Sequence, residues 1–418
     1  MSIKWFLFRR ITRALWFLPA LFSFFAVVVL GMSSLSSVFF PGPIGPENLP
    51  ITISQDAIKT ILNVLAASML TVAVFALSTL VNLLANAAQT GSPRAVSLIV
   101  EDRRAQTSIS IFIGAFLFSI VGIIGLFGEI YSTSGRLILF GATVLVVLAI
   151  VFALIRWIGQ ISVVGRVGET TDRVEKATRH ALDRLGPTSL WGCCRASEPV
   201  GEFTVRAAQI GFVQHFDRQG LQKIAEENGI AIHVLARPGT YVDFETELAR
   251  VDGGISEDCA VRLRDSFFVG AERTFEYDPG FGLTVLAEIG RRALSPAVND
   301  PGTAMDVIAT QTRVLGEWAR ASYGEETEAE YDRVSVRPIA PAELVAEAFD
   351  SLSRDACGSL DVTLALLRAL GTLAKAAPAD FRQPAQQLAQ KIAARAETSM
   401  AFPADIAAIK AAASQVST

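Results

Sequence analysis

Hydrophobic positions are not spread evenly along this chain: they gather into four long runs in its first third and thin into short periodic stretches afterwards. The runs are Ala14 to Gly31, Ala57 to Ala88, Ile109 to Phe127 and Leu137 to Trp157, each near or above the roughly 18 to 20 residues that carry a helix across a bilayer core. The pattern predicts four transmembrane helices. Lys4, Arg9, Arg10 and Arg13 precede the first run as they would in a signal peptide, but no small-x-small cleavage site stands out and three further runs follow, so an uncleaved first span is expected. After about Gly165 the charge density is that of a soluble domain.

The second run carries a pattern of its own. Its polar residues are Thr60, Asn63, Ser68, Thr71, Ser78, Thr79, Asn82, Asn86 and Gln89, and at about 100° per residue they fall within an arc of roughly 160°. The rest of the circumference, with Leu62, Leu65, Met69, Ala73, Leu77, Leu80 and Leu84, is apolar. Two readings stay open. The stripe is either a helix interface whose Asn, Ser and Thr hydrogen-bond neighbouring helices, or a wet surface with Asn63, Thr71, Ser78, Asn82, Asn86 and Gln89 as pore-lining candidates. From Lys59 to Gln89 the helix would measure about 45 Å, longer than the hydrocarbon core, so Asn82, Asn86 and Gln89 would protrude as a vestibule. One wet stripe per subunit cannot enclose a pore, and the second reading therefore requires a ring of subunits with this helix innermost. The third run holds Ser110, Gly114, Ala115, Ser119, Gly122 and Gly125, small residues that let another helix approach closely. No ionisable residue sits in the middle of any span, which counts against proton-relay transporters and voltage sensors.

Composition agrees with this division, since 51% hydrophobic with 19% charged residues is too apolar for an average soluble protein. Lys4, Arg9, Arg10 and Arg13 precede the first span, Arg94, Arg103 and Arg104 lie between the second and third, and Arg156 and Arg166 close the fourth, while the stretches "SSVFFPGPIGPENLPITISQD" and "GEIYSTSG" carry neither Lys nor Arg. By this asymmetry both termini are expected in the cytoplasm, and the lipid bilayer is the first partner. The net charge of -4 argues against a nucleic-acid partner. Cys193, Cys194, Cys259 and Cys357 fall on the reducing side; neither they nor His180, His215 and His233 have metal-site spacing, and no metal or cofactor is expected.

In the soluble part, "ISVVGRVGETTDRVEKATRHALDRL" reads as an amphipathic stalk, "EFTVRAAQIGFVQHF" as strand, and "DRQGLQKIAEENG" as a helix capped by Asp217 and stopped by Gly229. "RPGTYVDFETELARV" resembles the turn-and-strand of lipoyl-like barrel-sandwich hammerheads; Asp243, Phe244 and Glu245 occupy its tip instead of lysine, so a structural β-rich module is expected and not a biotin or lipoate carrier. Over essentially its whole length the chain resembles the bacterial membrane-protein family catalogued as "domain of unknown function 2254", through "IGFVQHFD", "RPGTYV", "GAERTFEYDPGFG", "RRALSPAVNDPGTA" and "AFDSLSR". The resemblance implies architecture and a place in the bacterial inner membrane; no activity comes with it.

"RRALSPAVNDPGTA" has a local explanation. Asp300-Pro301 starts a helix as N-cap and N1, and Ser295-Pro296 ends the preceding one, so Phe281 to Leu294 and Gly302 to Arg320 should form a helix pair at a sharp corner. Capping leaves Arg273, Asp278, Glu288, Arg291, Arg292, Asn299 and Asp306 over, with Glu288 and Arg292 an i,i+4 pair. Three cations and three anions sum to zero among them. That balance suits an ion-pair network locking elements or subunits better than a site for an anionic substrate; a ligand-sensing pocket is the alternative. With no nearby His or Cys, no phosphate loop, and Ser295 outside a G-x-S-x-G elbow, an enzyme is not expected.

The expected architecture is thus a membrane all-α part of four transmembrane helices (1–158), a juxtamembrane stalk and loop (159–200), a cytoplasmic α+β domain with a small β-rich module and the corner (201–325), and a helical C-terminal bundle (326–418). Two functional classes remain: a homo-oligomeric channel-like or transport protein passing a small ion or solute along the second helix, and a membrane-anchored scaffold or sensor whose cytoplasmic domain binds a ligand or protein partner.

Overall fold

The computed structural model describes residues 17–34, 54–100, 103–131, 133–161, 167–186, 190–196, 201–322, 328–376 and 379–417. Their contacts divide the chain into a helical unit, Leu7–Ala87 with Val96–Arg166, and an α+β unit that takes in Ala88–Ala95 and Val167–Thr418.

The helical unit contains α1 (Phe17–Ser34), the main length of α2 (Gln55–Thr90), the short α3 (Val96–Val100), α4 (Arg103–Phe127) and α5 (Thr133–Ile161). Three helices are long and apolar enough to cross a membrane among the described residues: Gln55–Asn86, Gln106–Phe127 and Gly135–Gly159. The fourth expected span is met only in part. Its helix α1 runs Phe17–Ser34, with Pro19–Val28 as the apolar stretch among the described residues, and residues 14–16 of that run lie outside the described ones.

The small residues of α4 do what their size suggests. Ser110, Ala115 and Ser119 are buried, and a Cβ on Gly114 would stand 3.2 Å from the Phe22 Cβ of α1. Two apolar clusters bind α2 to this helix and to α5. Met69, Ala73, Ala76 and Leu80 pack with Ile109, Phe112, Ala115, Ile150, Ala153 and Trp157; Ile58 and Leu62 pack with Phe118, Leu126, Tyr131 and Leu139. Within α5, Arg136 and Arg156 flank its apolar middle, twenty residues or about 30 Å apart, the thickness of a hydrocarbon core.

The α+β unit is built on a mixed five-stranded sheet in the order β1 (Cys193–Arg195), β8 (Tyr331–Val336), β4 (Ile232–Val234), β6 (Glu247–Val251), β2 (Phe203–Arg206). β8 is parallel to both of its neighbours, while β6 runs antiparallel to β4 and β2. A three-stranded sheet holds β5 (Tyr241–Val242), β3 (Gly211–Phe216) and β7 (Phe267–Gly270). The single strand expected over "EFTVRAAQIGFVQHF" is therefore two, β2 and β3, in different sheets. The "RPGTYV" turn likewise feeds β5 into one sheet and β6 into the other.

Helix α7 (Arg218–Asn228) begins where Asp217 accepts the Gly220 N–H and ends at Gly229 in the left-handed conformation, as its sequence requires. After α8 (Glu257–Asp265) and β7 come α9 (Pro279–Ala293) and α10 (Pro301–Ser322), then α11 (Pro341–Val345), a π-helical turn (Ala346–Asp350), α12 (Ser351–Ala356), α13 (Leu360–Ala376), α14 (Ala379–Ser399) and α15 (Pro403–Ser417).

Two expectations need correction. The stretch read as a stalk forms α6 (Val167–Leu185), which packs along α9 and α10 with Val174, Ala181, Leu182 and Leu185 buried. Its amphipathicity reports burial against helices distant in sequence, which periodicity alone cannot name. The region 326–418 is not wholly helical either. Its first element, β8, is an interior strand between β1 and β4, with Val334 and Val336 fully buried. A six-residue strand beside an acidic link has too short a pattern to stand out, and its partners lie about a hundred residues or more upstream.

Candidate functional site

Helix α9 organises the polar residues singled out above, and it separates them. Asp278 and Arg292 stand near its opposite ends, about 21 Å apart at 1.5 Å per residue.

At the first end Asp278 accepts the Phe281 N–H at 2.9 Å and caps the helix. Arg273 clamps the same carboxylate with Nε at 2.7 Å and a second guanidinium nitrogen at 3.0 Å. Glu347, presented by the π-helical turn, lies 3.6 Å from Arg273 and accepts the Thr284 hydroxyl. Gly239, at φ +92°, makes room for this: a Cβ there would come within 2.4 Å of Asp278. One residue before Asp278, Tyr277 stacks on buried His215 with ring centroids 4.4 Å apart, and Arg184 covers the Tyr277 ring while pairing with Glu276 at 2.9 Å. Segments "IGFVQHFD", "RPGTYV" and "GAERTFEYDPGFG" thus converge here, beside Glu347 just ahead of "AFDSLSR".

At the other end the corner is built as its sequence suggests. Asp300 accepts the Thr303 N–H at 3.0 Å and its hydroxyl at 2.6 Å, and these bonds hold the carboxyl below its ordinary range. The Ser295 hydroxyl donates to the Arg292 carbonyl at 2.7 Å. Asn299 takes a left-handed φ of 49°, a conformation that asparagine tolerates better than most residues. Arg291 pairs with Asp355 of α12.

Glu288 and Arg292 share a face, and both reach the segment that joins α2 to α3. Glu288 accepts the Ser92 hydroxyl at 2.7 Å and pairs with Arg94, while Arg292 donates to the carbonyls of Ala88 and Gly91. Asp306 is exposed and belongs to neither group. The nine residues therefore divide between the two ends of α9, apart from the surface carboxylate Asp306, and do not form a single pocket.

Several partners escaped sequence reasoning. Gly239, Thr284, Glu347, Ser92 and the Glu175 network are ordinary residues until the fold brings them together. Burial would raise the Glu175 carboxyl, yet hydrogen bonds from Arg313 and Arg179 outweigh it and hold the group below its usual range. Only the i,i+4 spacing of Glu175 and Arg179 was legible beforehand. The thiols are free, and burial pushes Cys193 up to about 12, which leaves it unreactive.

His215 supplies a pH prediction. Burial, with Arg218 and Arg184 nearby, lowers it from 6.5 to about 3. A folded-state pKa below the unfolded value means that the unfolded chain binds the proton first. Stability is then intact above pH 6.5 and falls by about 1.4 kcal/mol per pH unit as pH drops toward the folded value. Thermal melts between pH 7 and 4 should show this slope, reduced in His215→Phe; an unchanged slope in that variant would remove His215 from the account.

The stripe residues on α2 are all placed. The buried positions Ile58, Leu62, Ala66, Met69, Ala73, Ala76 and Leu80 centre about 180° from the stripe at 100° per residue. Asn63, Thr71, Ser78, Asn82, Asn86 and Gln89 are exposed, and Ser68 and Thr79 half-buried. Ser68, Thr71 and Thr79 return their hydroxyls to carbonyls four residues back, at 2.6, 3.2 and 2.9 Å. Asn63, Ser78 and Asn82 have no side-chain partner among the described residues. Packing among the described residues therefore does not explain the stripe. Of the exposed apolar positions, Leu77 lies beyond its edge.

Comparison with known proteins agrees with a membrane protein. An uncharacterized protein of Mycobacterium bovis and one of Mycobacterium tuberculosis are each 24% identical to this chain over 309 residues, which cover 71% of the chain and 58% of the relative. The chain thus spans less than two thirds of the length of the curated relatives it matches. No solved structure matches it. The family model described as a predicted membrane protein, DUF2254, matches residues 12–372. With three helices fit to cross a bilayer and that match over most of its length, the chain belongs to the DUF2254 family of predicted membrane proteins.

Proposed function

We propose that this protein is a homo-oligomeric, channel-like transport protein of the bacterial inner membrane in which α2 lines the path. The carrying observation is the polar stripe of α2, turned away from the described helices it packs against. Amides exposed to lipid are costly, and a ring of copies with α2 innermost would give them water. Asn63 and Asn82 lie about 28 Å apart along the helix, near the two edges of a hydrocarbon core, with hydroxyls between them. Between Lys59 and Thr90 the helix carries no charged residue, so weak discrimination between small cations and anions is expected. The excess of Lys and Arg at the ends of the spans that flank Arg94 supports cytoplasmic termini, although Lys59 and Arg136 stand at the opposite ends. The two-bond pairing of Arg273 with Asp278, which also caps α9, supports a locking, non-enzymatic role for this network.

A second reading, the membrane-anchored scaffold or sensor, draws on a groove of about 490 Å³ between α10 and α13. Ala309, Gly316, Ala365 and Ala369 contribute small side chains to it, and Arg320 and Arg368 stand on its rim.

One experiment separates the two. Single cysteines at Ser78, Asn82 and Asn86 should react in intact membranes with a small polar thiol reagent applied from the cytoplasmic side, whereas cysteines at buried Leu80 and at Leu77 should not. Asn82→Leu should then lower flux through reconstituted protein with assembly unchanged. Uniform protection of the three polar positions would end the channel reading and leave the scaffold.

A further inference from the structure

We infer that Ser335, His233 and Asp252 form a nucleophilic triad on the polar face of the five-stranded sheet, one that takes the acyl group from a small carboxylic ester. The three residues lie within the α+β unit and outside the α9 network, and the inference does not depend on the channel reading.

Strand alternation puts them together. Ile232 and Val234 of β4 and Val334 and Val336 of β8 are buried, so the residue between each pair, His233 or Ser335, turns to the other face. The parallel register of the two strands sets these residues side by side. Asp252 follows Val251 of β6, which pairs with Ile232, and the Asp252 N–H donates to the Ala231 carbonyl at 3.1 Å. Separations of 19 and 102 residues hide the group from any reading of short motifs.

The contacts have the polarity that nucleophilic catalysis needs. Asp252 Oδ2 stands 3.1 Å from His233 Nε2, and Ser335 Oγ stands 2.6 Å from His233 Nδ1. A carboxylate only accepts, so in the neutral imidazole the proton sits on Nε2, and Nδ1 is left to accept the Ser335 hydroxyl. His233 is then the base, and Asp252 positions its ring. The His233 side chain is 16% exposed, which keeps the imidazole largely out of water, while Ser335 is only half-buried and open to a small molecule. Cys194 of β1 is in register with Ser335, but burial and the Asp332 carboxylate raise its thiol, so thiolate is scarce and the serine is the activated nucleophile. Strands about 4.8 Å apart leave Ser335 between Cys194 and His233, which limits the acyl group to a small one. Strand amides are committed to the ladder, so the oxyanion falls to a side-chain donor, Arg250, in register with His233 on β6.

Ser335 Oγ bonds to the acyl carbon as its proton passes to His233 Nδ1, and the alcohol oxygen of the ester leaves with that proton. Water then attacks the acyl-serine through the same nitrogen, releasing a carboxylic acid and restoring the serine.

The test uses full-length protein in detergent and two probes, a fluorophosphonate that labels activated serines and p-nitrophenyl acetate. Wild type should form one adduct, mapped to Ser335 by peptide mass, and release a burst of p-nitrophenolate. Ser335→Ala should abolish both, and His233→Gln should slow labelling about a hundredfold, the lower end for a general base. Asp252→Asn should slow it about tenfold or more, less than a fully buried carboxylate would cost because Asp252 is 45% exposed. Asp252→Glu should recover most of the rate, a dependence on charge that a purely structural bond would not show. The adduct map needs no variant, so a variant that misfolds does not decide the outcome. A folded wild type without an adduct, or with one on Cys194 instead, would overturn the triad, as would wild-type ester hydrolysis by Ser335→Ala. Equal labelling of Asp252→Asn and wild type would remove Asp252 from it.

Discussion

Asp278→Ala is expected to lower the unfolding free energy of the α+β unit by about 3 kcal/mol, the lower end of the range for breaking a buried ion pair from one side. The Asp278 side chain is 6% exposed and that of Arg273 20%, so removing the carboxylate strands a largely desolvated guanidinium. Glu347 at 3.6 Å is a partial substitute, which is why the lower end applies. The helix loses its N-cap in the same step. At about 2–4 °C per kcal/mol the melting temperature should fall by about 6–12 °C. Asp278→Asn, which keeps a capping oxygen but no charge, should fall between the two. A melt indistinguishable from wild type for the alanine variant would show that the network is not a lock, and would reopen it as a ligand site held at a cost in stability.

Gly282→Ala should also destabilise the unit, by about 2 kcal/mol, against the usual gain from replacing a helical glycine. The added methyl would stand 2.1 Å from the Thr178 hydroxyl oxygen and 2.9 Å from its Cβ, both on α6. Overpacking of this kind costs about 1–3 kcal/mol, and alanine's better helix propensity returns up to about 1. Thr178 cannot simply turn aside, because it is buried and its hydroxyl is bonded to the Val174 carbonyl at 2.7 Å. Thr178→Ala in the same chain should recover roughly half of the loss, since it removes the nearest atom but leaves Cβ. Chemical unfolding of the single and double variants would measure the coupling as a mutant cycle. Independent, additive effects would mean that α6 and α9 are not in the contact described, and would restore a loosely attached stalk.

Both variants act at contacts between segments far apart in the chain, and this marks the limit of the sequence. The ends of elements were legible because their causes are local. Asp217 and Asp300 start helices because a short carboxylate reaches an N–H three residues on, and Gly229 stops one because it tolerates the left-handed conformation. The apolar runs announced bilayer-crossing helices because hydrocarbon demands length and apolarity along one continuous segment, and the small residues of the third run announced close packing.

Charge pairing was legible only where it is local. Glu175 and Arg179 could be paired by their spacing, but Arg313, which shares that carboxylate, comes from α10. Glu288 and Arg292 invited pairing with each other, and instead bind a turn almost two hundred residues earlier. An ion pair depends on which side chains the fold desolvates together, and no short-range pattern carries that information.

The sequence by itself determined which segments are apolar enough for lipid, where helices begin and end, and that one helix carries polar residues along a single stripe, because each follows from the covalent neighbourhood and the 3.6-residue period. Only the tertiary structure decided that the stripe faces away from the described helices of its bundle, that the supposed stalk is a packed helix, that β8 sits inside the sheet, and that the polar set divides between the two ends of α9. Those outcomes depend on burial, and burial is set by whichever distant surface excludes water from a given face.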